Sequence, residues 1–288
     1  MDGFMTKARG DSMDPLEVEI HHVWSRVVQR AMLLGVDPLT LIDYAGRRSI
    51  VEQLIKHQAG VFAVDVANFS IMGNHIHAIL RSRPDIVASW SDEECAFRYK
   101  SAWPTWLDAS EEMGPTYADR VYQRQGTWDR VPSDQAIECL LEDEVAMARV
   151  RIFLGSISGF MARVKEPLAR LFNKECDVNG SYWAKRYGNR MLESHEEIIG
   201  GNIYVDLNHV RANAALSLEE SRCSGIRLRL MAERAREEWI EENTTRSLDR
   251  IYQDHVNGST DVPVDQLNAM FADAWLVPIT ADSPPAKS

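Results

Sequence analysis

The chain has 288 residues, 45% hydrophobic and 26% charged, with a formal net charge of −11. This is an ordinary globular composition, large enough for a sizeable core, and it holds no run of the roughly 18–20 apolar residues a membrane span needs. Cys95, Cys139, Cys176 and Cys223 are scattered with no C-x-x-C pair, which argues against a zinc site or disulfide framework and fits a reducing compartment.

Residues 1–15 contain no apolar h-region, so they read as a tail and the expected location is cytoplasmic. The segment 16–83 opens with "LEVEIHHVWSRVVQR", rich in Val and Ile with partial alternation, a first strand. In "GRRSIVEQLIKHQAG", Ile50, Val51, Leu54 and Ile55 recur at helical spacing and Gly60 suits the stop. "VFAVDVANFSIM" and "HIHAILR" are a second and third strand, joined tightly through Met72-Gly73-Asn74 as an antiparallel hairpin. Residues 84–135 form an acidic insertion with Trp90, Trp103, Trp106 and Trp128. It is too aromatic for disorder, and those rings read as a local core. The segment 136–217 begins with a long helical stripe through Phe153, Ile157, Phe160, Val164 and Leu168, which Pro167 is expected to kink or split. "GSYWAKRYGNRML" reads as extended chain. Ser194 and Glu197 then stand at capping-box spacing before a last core helix that includes Gly200-Gly201. Residues 218–277 form a charged helical extension, and 278–288 a disordered tail. The order strand, helix, strand, strand, helix, strand implies an α+β, ferredoxin-like antiparallel sheet packed with helices.

Charge is unevenly spread. Residues 85–148 hold 14 acids and 5 bases, a local −9, whereas 149–193 hold 4 acids and 9 bases, a local +5. A phosphate-binding surface can therefore exist in this acidic chain, although solvated helix faces would give the same pattern. His75 and His77, two apart on a strand, share a face. Alone they are either half a metal site or two surface residues. Tyr204 and Asn208, four apart on the last core helix, also share a face, and the two pairs could converge.

"MGNHIHAIL" resembles the His-hydrophobe-His strand of the single-tyrosine HUH transposases. "SYWAKRYGNRMLESHEEIIGGNIYVDLNHVRA" resembles their second signature, W-x-x-R-[FY] followed by Y-[IV]-x-x-N-P-V-[RK]-A. The branch it is most similar to is the REP-associated tyrosine transposases, over roughly Glu17 to Ala215. The resemblance implies Tyr204 as nucleophile, His75, His77 and Asn208 as ligands of Mg²⁺ or Mn²⁺, and Arg186 and Arg211 as matching basic residues. Together with the basic stretch it implies a DNA path along Arg163, Lys165, Lys185, Arg186 and Arg211, on single-stranded or hairpin DNA, with no membrane partner and a monomer or homodimer. The bound protein would lie at the nucleoid. Three positions depart from the pattern: His209 replaces Pro, Gly73 precedes Asn-His, and Gly188 replaces a Lys expected to contact phosphate.

A free phenol, with a pKa of about 10, is a weak nucleophile that needs activation or a good electrophile. A divalent ion on two imidazoles and an amide supplies that by polarising a phosphate. The expected activity is therefore DNA nicking and strand transfer through a 5′-phosphotyrosine. The alternatives are a domesticated, non-catalytic nucleic-acid binder and a metal-dependent phosphodiesterase that uses water.

Overall fold

A computed structural model of the chain describes residues 13–103, 132–242, 247–257 and 262–278. Strands β1 (Ile20–Arg26), β2 (Val64–Ile71), β3 (His75–Ser82) and β4 (Gly188–Met191) form one sheet in the order β2-β3-β1-β4. Each neighbouring pair is antiparallel, and β1 pairs Trp24 with His77 and Arg26 with His75 on β3. The α+β architecture expected from the element order is the one found.

Alternation along the strands divides the sheet into two faces. Val23, Ile76, Ala78 and Leu80 point to one side. There they share a core with Ile50, Val51 and Leu54 of α1 (Gly46–Val61) and with Phe160, Val164 and Leu168 of a long helix at 157–175. Ile20 and Ile79 point to the other side, against Leu192 and against Ile198 and Val205 of a helix at 195–206. His22, Trp24, Arg26, His75 and His77 have the parity of that second face.

Between β3 and β4 lie α2 (Pro84–Ser89), α3 (Asp92–Ser101), α4 (Asp134–Leu141), α5 (Glu144–Gly155) and α6 (Ile157–Glu175). Sequence periodicity placed the break of the long stripe at Pro167, but α6 runs through Pro167 unbroken. The chain instead turns by 85° between α5 and α6. Ser156 takes the N-cap there, its hydroxyl accepting from the Gly159 amide, and Asp143 caps α5 in the same way. Such caps satisfy amides that a helix start leaves without partners. The insertion's Cys95, Ala96 and Ala102 join the main core, and Arg98 lies over the Trp90 ring. Trp106 and Trp128 lie outside the described residues.

After β4 come α7 (His195–Asp206) and the short α8 (Asn208–Arg211), followed by α9 (Gly225–Glu242), α10 (Leu248–Val256) and α11 (Val264–Met270). The last three share a small core of Trp239, Ile251, Leu267 and Met270. Chain from this region also covers the outer edge of β2: Ser224 bridges Ser70, and the Val277 amide donates to the Val66 carbonyl. That pairing removes an exposed strand edge. No single described helix is long and apolar enough to cross a membrane.

Candidate active site

Helix α7 is held in place by both its ends. Ser194 accepts from the Glu197 amide, as its spacing indicated, and the Glu197 carboxylate turns back onto the amide of Glu193, one residue before the cap. At the other end His209, buried at 1% exposure, anchors α8 to β2. The Ile71 carbonyl can only accept, so His209 Nε2 carries the proton and Nδ1 accepts from the Ser70 hydroxyl. Burial, followed by the charge of Arg48, holds this imidazole below its ordinary pKa. The residue standing where the resemblance expects proline is thus a structural pin.

Between these ends Tyr204 sits over the sheet. Its ring centroid is 5.6 Å from that of His77 and 5.6 Å from that of His22, and the ring is 39% exposed. His75 and His77 are 5.0 Å apart, edge to face. The strand pair and the helix tyrosine therefore meet at one place. Asn208 follows one turn later, buried, and its Nδ2 has no hydrogen-bond partner. A break at Leu207 separates α7 from α8, so Tyr204 and Asn208 lie on consecutive helices rather than on one.

The hydrogen bonds around the histidines identify their acceptor nitrogens. The Asn74 amide nitrogen donates to the Arg30 carbonyl, so its oxygen faces His75 and accepts from Nδ1–H at 2.6 Å. His75 Nε2 is left with a free lone pair. His77 Nδ1 is 2.8 Å from His22 Nε2, and one of the two must donate. If His77 donates, its Nε2 is also a free acceptor. If His22 donates, His77 Nε2 carries a proton and cannot ligate a metal. Among the described residues no three His, Cys, Asp or Glu side chains converge as a metal cage. His22 cannot complete one through Nε2, which is occupied by His77.

All three imidazoles are held neutral. Burial, followed by the charge of Arg190, pushes His22 down to about 4. Burial, then Arg26 and His209, takes His75 to about 4. Burial, with His22, His75 and Arg26, takes His77 to about 3. Around this neutral cluster stand three exposed arginines: Arg26, Arg190 across β4 from His22, and Arg211, whose guanidinium is 5.1 Å from the Tyr204 ring centroid. Arg190 is ion-paired with the Glu197 carboxylate at 2.6 Å, so Arg26 and Arg211 are the cations that make the site a suitable setting for a phosphate.

The other basic residues named from the sequence separate into two places. Lys165, Lys185 and Arg186 line one open groove of about 480 Å³ between α6 and the segment before β4. The Lys165 ammonium donates to the Lys185 carbonyl at 2.9 Å. Arg163 does not line that groove. It lies among the rings of Tyr99, Trp103 and Phe153, with centroids 5.5, 5.2 and 5.1 Å away. Tyr187, the nearest alternative phenol in the second motif, is buried with its hydroxyl 2.8 Å from that of Ser158.

Sequence reasoning missed His22, Arg26 and Arg190. The alternation in "EIHHVWSR" places Ile20, His22, Trp24 and Arg26 on one face, which was a usable signal. Their position opposite His77 and His75 depends on strand register, which is set by pairing between distant segments.

No protein-family model matches the sequence, and no curated protein matches it. Among solved structures the chain is similar to one described as that of the REP associates tyrosine transposase bound to a REP hairpin. The identity is 10% and the TM-score 0.39, over 76% of this chain and 82% of that one.

Proposed function

We propose that the protein is a metal-dependent endonuclease and strand transferase acting on single-stranded or hairpin DNA, with Tyr204 as nucleophile. The observation that carries this reading is the placement of the Tyr204 ring 5.6 Å from His77, on a face with neutral imidazoles, Arg26 and Arg211. His75 and His77, through Nε2, and the Asn208 carboxamide would hold Mg²⁺ or Mn²⁺. One observation fits that donor set: the Asn74 bond leaves His75 Nε2 free to ligate. When bound, the ion supplies positive charge to the phosphate oxygens.

The remaining steps belong to the chain. Arg26 and Arg211 attract and orient the phosphate. The Tyr204 oxygen attacks phosphorus and a Tyr–O–P bond forms. The bond from phosphorus to the 3′ oxygen breaks, and that oxygen leaves as a 3′-hydroxyl after taking a proton from water. The phenol proton passes to water, not to His22. If His77 is a ligand, His22 Nε2 already accepts from His77 and its Nδ1 carries the proton. The 5′-phosphotyrosine conserves the bond, so a 3′-hydroxyl on another end can reverse the step.

The test is incubation of hairpin-bearing single-stranded DNA with Mn²⁺, followed by denaturing electrophoresis. Wild type should give a covalent protein–DNA adduct. Tyr204→Phe should fold, bind DNA about as well and give none. His75→Ala/His77→Ala should bind DNA but not cleave it. Cleavage without an adduct would identify a phosphodiesterase that uses water. Binding without cleavage would identify a non-catalytic binder.

A further inference from the structure

Trp24 and Gly188 face each other across β1 and β4. A Cβ at residue 188 would lie 2.6 Å from the Trp24 indole nitrogen and still closer to Cε2 and Cζ2, so the indole occupies the space a side chain would fill. Contacts that short do not occur, and any other residue at 188 would lift the ring off the strand. The glycine thus supports one face of the indole. The tryptophan is 38% exposed, and with one face covered that exposure falls on the opposite face and rim. The ring belongs to the site face: its centroid is 5.4 Å from His22, and its strand partner on the other side is His77. Arg26 is the next residue on the same face of β1, and Arg190 the next on the same face of β4. An open indole flanked along its strands by Arg26 and by Arg190, whose guanidinium pairs with Glu197, matches a ligand that alternates flat rings with phosphates.

We propose that Trp24, resting on Gly188, is a stacking shelf for a nucleobase adjacent to the phosphate at Tyr204. This inference rests on the DNA reading above and specifies where one base of the strand lies. It also reinterprets Gly188. The position lacks the expected lysine because the ring of Trp24 takes its place, so an aromatic contact to a base replaces an ionic contact to phosphate. The two described insertion tryptophans do not offer the same feature: Trp90 packs against the main core under Arg98, and Trp103 lies against Arg163 and Arg170.

Base–aromatic stacking is lost on alanine substitution with a penalty that corresponds to roughly 5- to 150-fold in affinity. The experiment measures binding of two fluorescent single-stranded oligonucleotides of equal length and charge, one of oligothymidylate and one entirely abasic. Trp24→Ala should weaken the thymidylate strand at least about 5-fold and leave the abasic strand unchanged. Gly188→Ala, which displaces the ring without removing it, should act in the same direction. In 5-fluorotryptophan-labelled protein, the Trp24 fluorine signal should shift with thymidylate and stay in place with the abasic strand. An unchanged ratio of the two affinities in Trp24→Ala overturns the shelf while leaving the DNA reading intact. Failure of wild type to bind either strand overturns both.

Discussion

At the residue scale, a tautomer decides what the histidine pair can do. His75 keeps its Nε2 lone pair free because the Asn74 carboxamide oxygen accepts from Nδ1–H, and Asn74 is oriented by the Arg30 carbonyl. That carbonyl comes from a turn in which Gln29 and Arg30 both adopt positive φ, at 52° and 59°. Two adjacent non-glycine residues in the left-handed region cost of order 1 kcal/mol or more each, so surrounding contacts must hold them. They do: the Val27 amide donates to the Asn74 carbonyl, and the Leu34 amide to that of Gly73. Removing an outer partner of a ligating histidine typically weakens metal affinity about 10- to 100-fold. Asn74→Ala should therefore weaken Mn²⁺ binding by about that factor, read by calorimetry or electron paramagnetic resonance, with folding intact. Unaltered Mn²⁺ affinity would show that Asn74 does not prepare His75. The histidine pair was legible from its spacing alone. The relay behind it was not, because it joins a turn near residue 30 to one near residue 74.

At the element scale, one local signal was legible and another was overshadowed by a proline. The Ser194–Glu197 cap is a contact over three residues and needed no knowledge of the fold. The break between α5 and α6 was equally local, but proline drew attention away from the Ser156 cap that makes it. Pro167 is tolerated on the buried side of α6. The basic stretch was legible as composition, and the fold divides it, turning Lys165, Lys185 and Arg186 into a groove and Arg163 among aromatic rings. If the DNA backbone follows that groove, binding releases counterions and log affinity falls linearly with log salt, by about 0.7 per neutralised phosphate on a single strand. Lys185→Glu/Arg186→Glu should weaken binding and flatten that slope by roughly one to two such steps, measured by fluorescence anisotropy across a salt series. Arg163→Glu should leave the slope unaltered while lowering stability through lost ring contacts. A slope unchanged in the first variant would put the backbone path elsewhere.

At the scale of the whole molecule, the fold keeps much of its histidine uncharged. Of eight histidines, His21, His22, His75, His77 and His209 all have depressed pKa values, each chiefly through burial. The unfolded chain binds protons on these rings below its ordinary value of about 6.5. The folded chain does not do so until about 4 for His22 and His75 and about 3 for His77. Between those limits the unfolded state holds more protons, so stability rises with pH and is lost on acidification. Each ring kept fully neutral contributes a slope of up to about 1.4 kcal/mol per pH unit. The metal-free protein, in chelator, should therefore lose stability from pH 6.5 downward, before most carboxylates titrate. Denaturant midpoints at half-unit steps would measure this. Acidic groups also contribute near pH 4, and they contribute equally to a variant that keeps them. His75→Gln/His77→Gln removes two of the refused protons and should flatten the curve between pH 6.5 and 4.5 by the slope of about two rings. Parallel curves for the two proteins would mean that His75 and His77 accept protons in the folded state, and that the site is not held neutral.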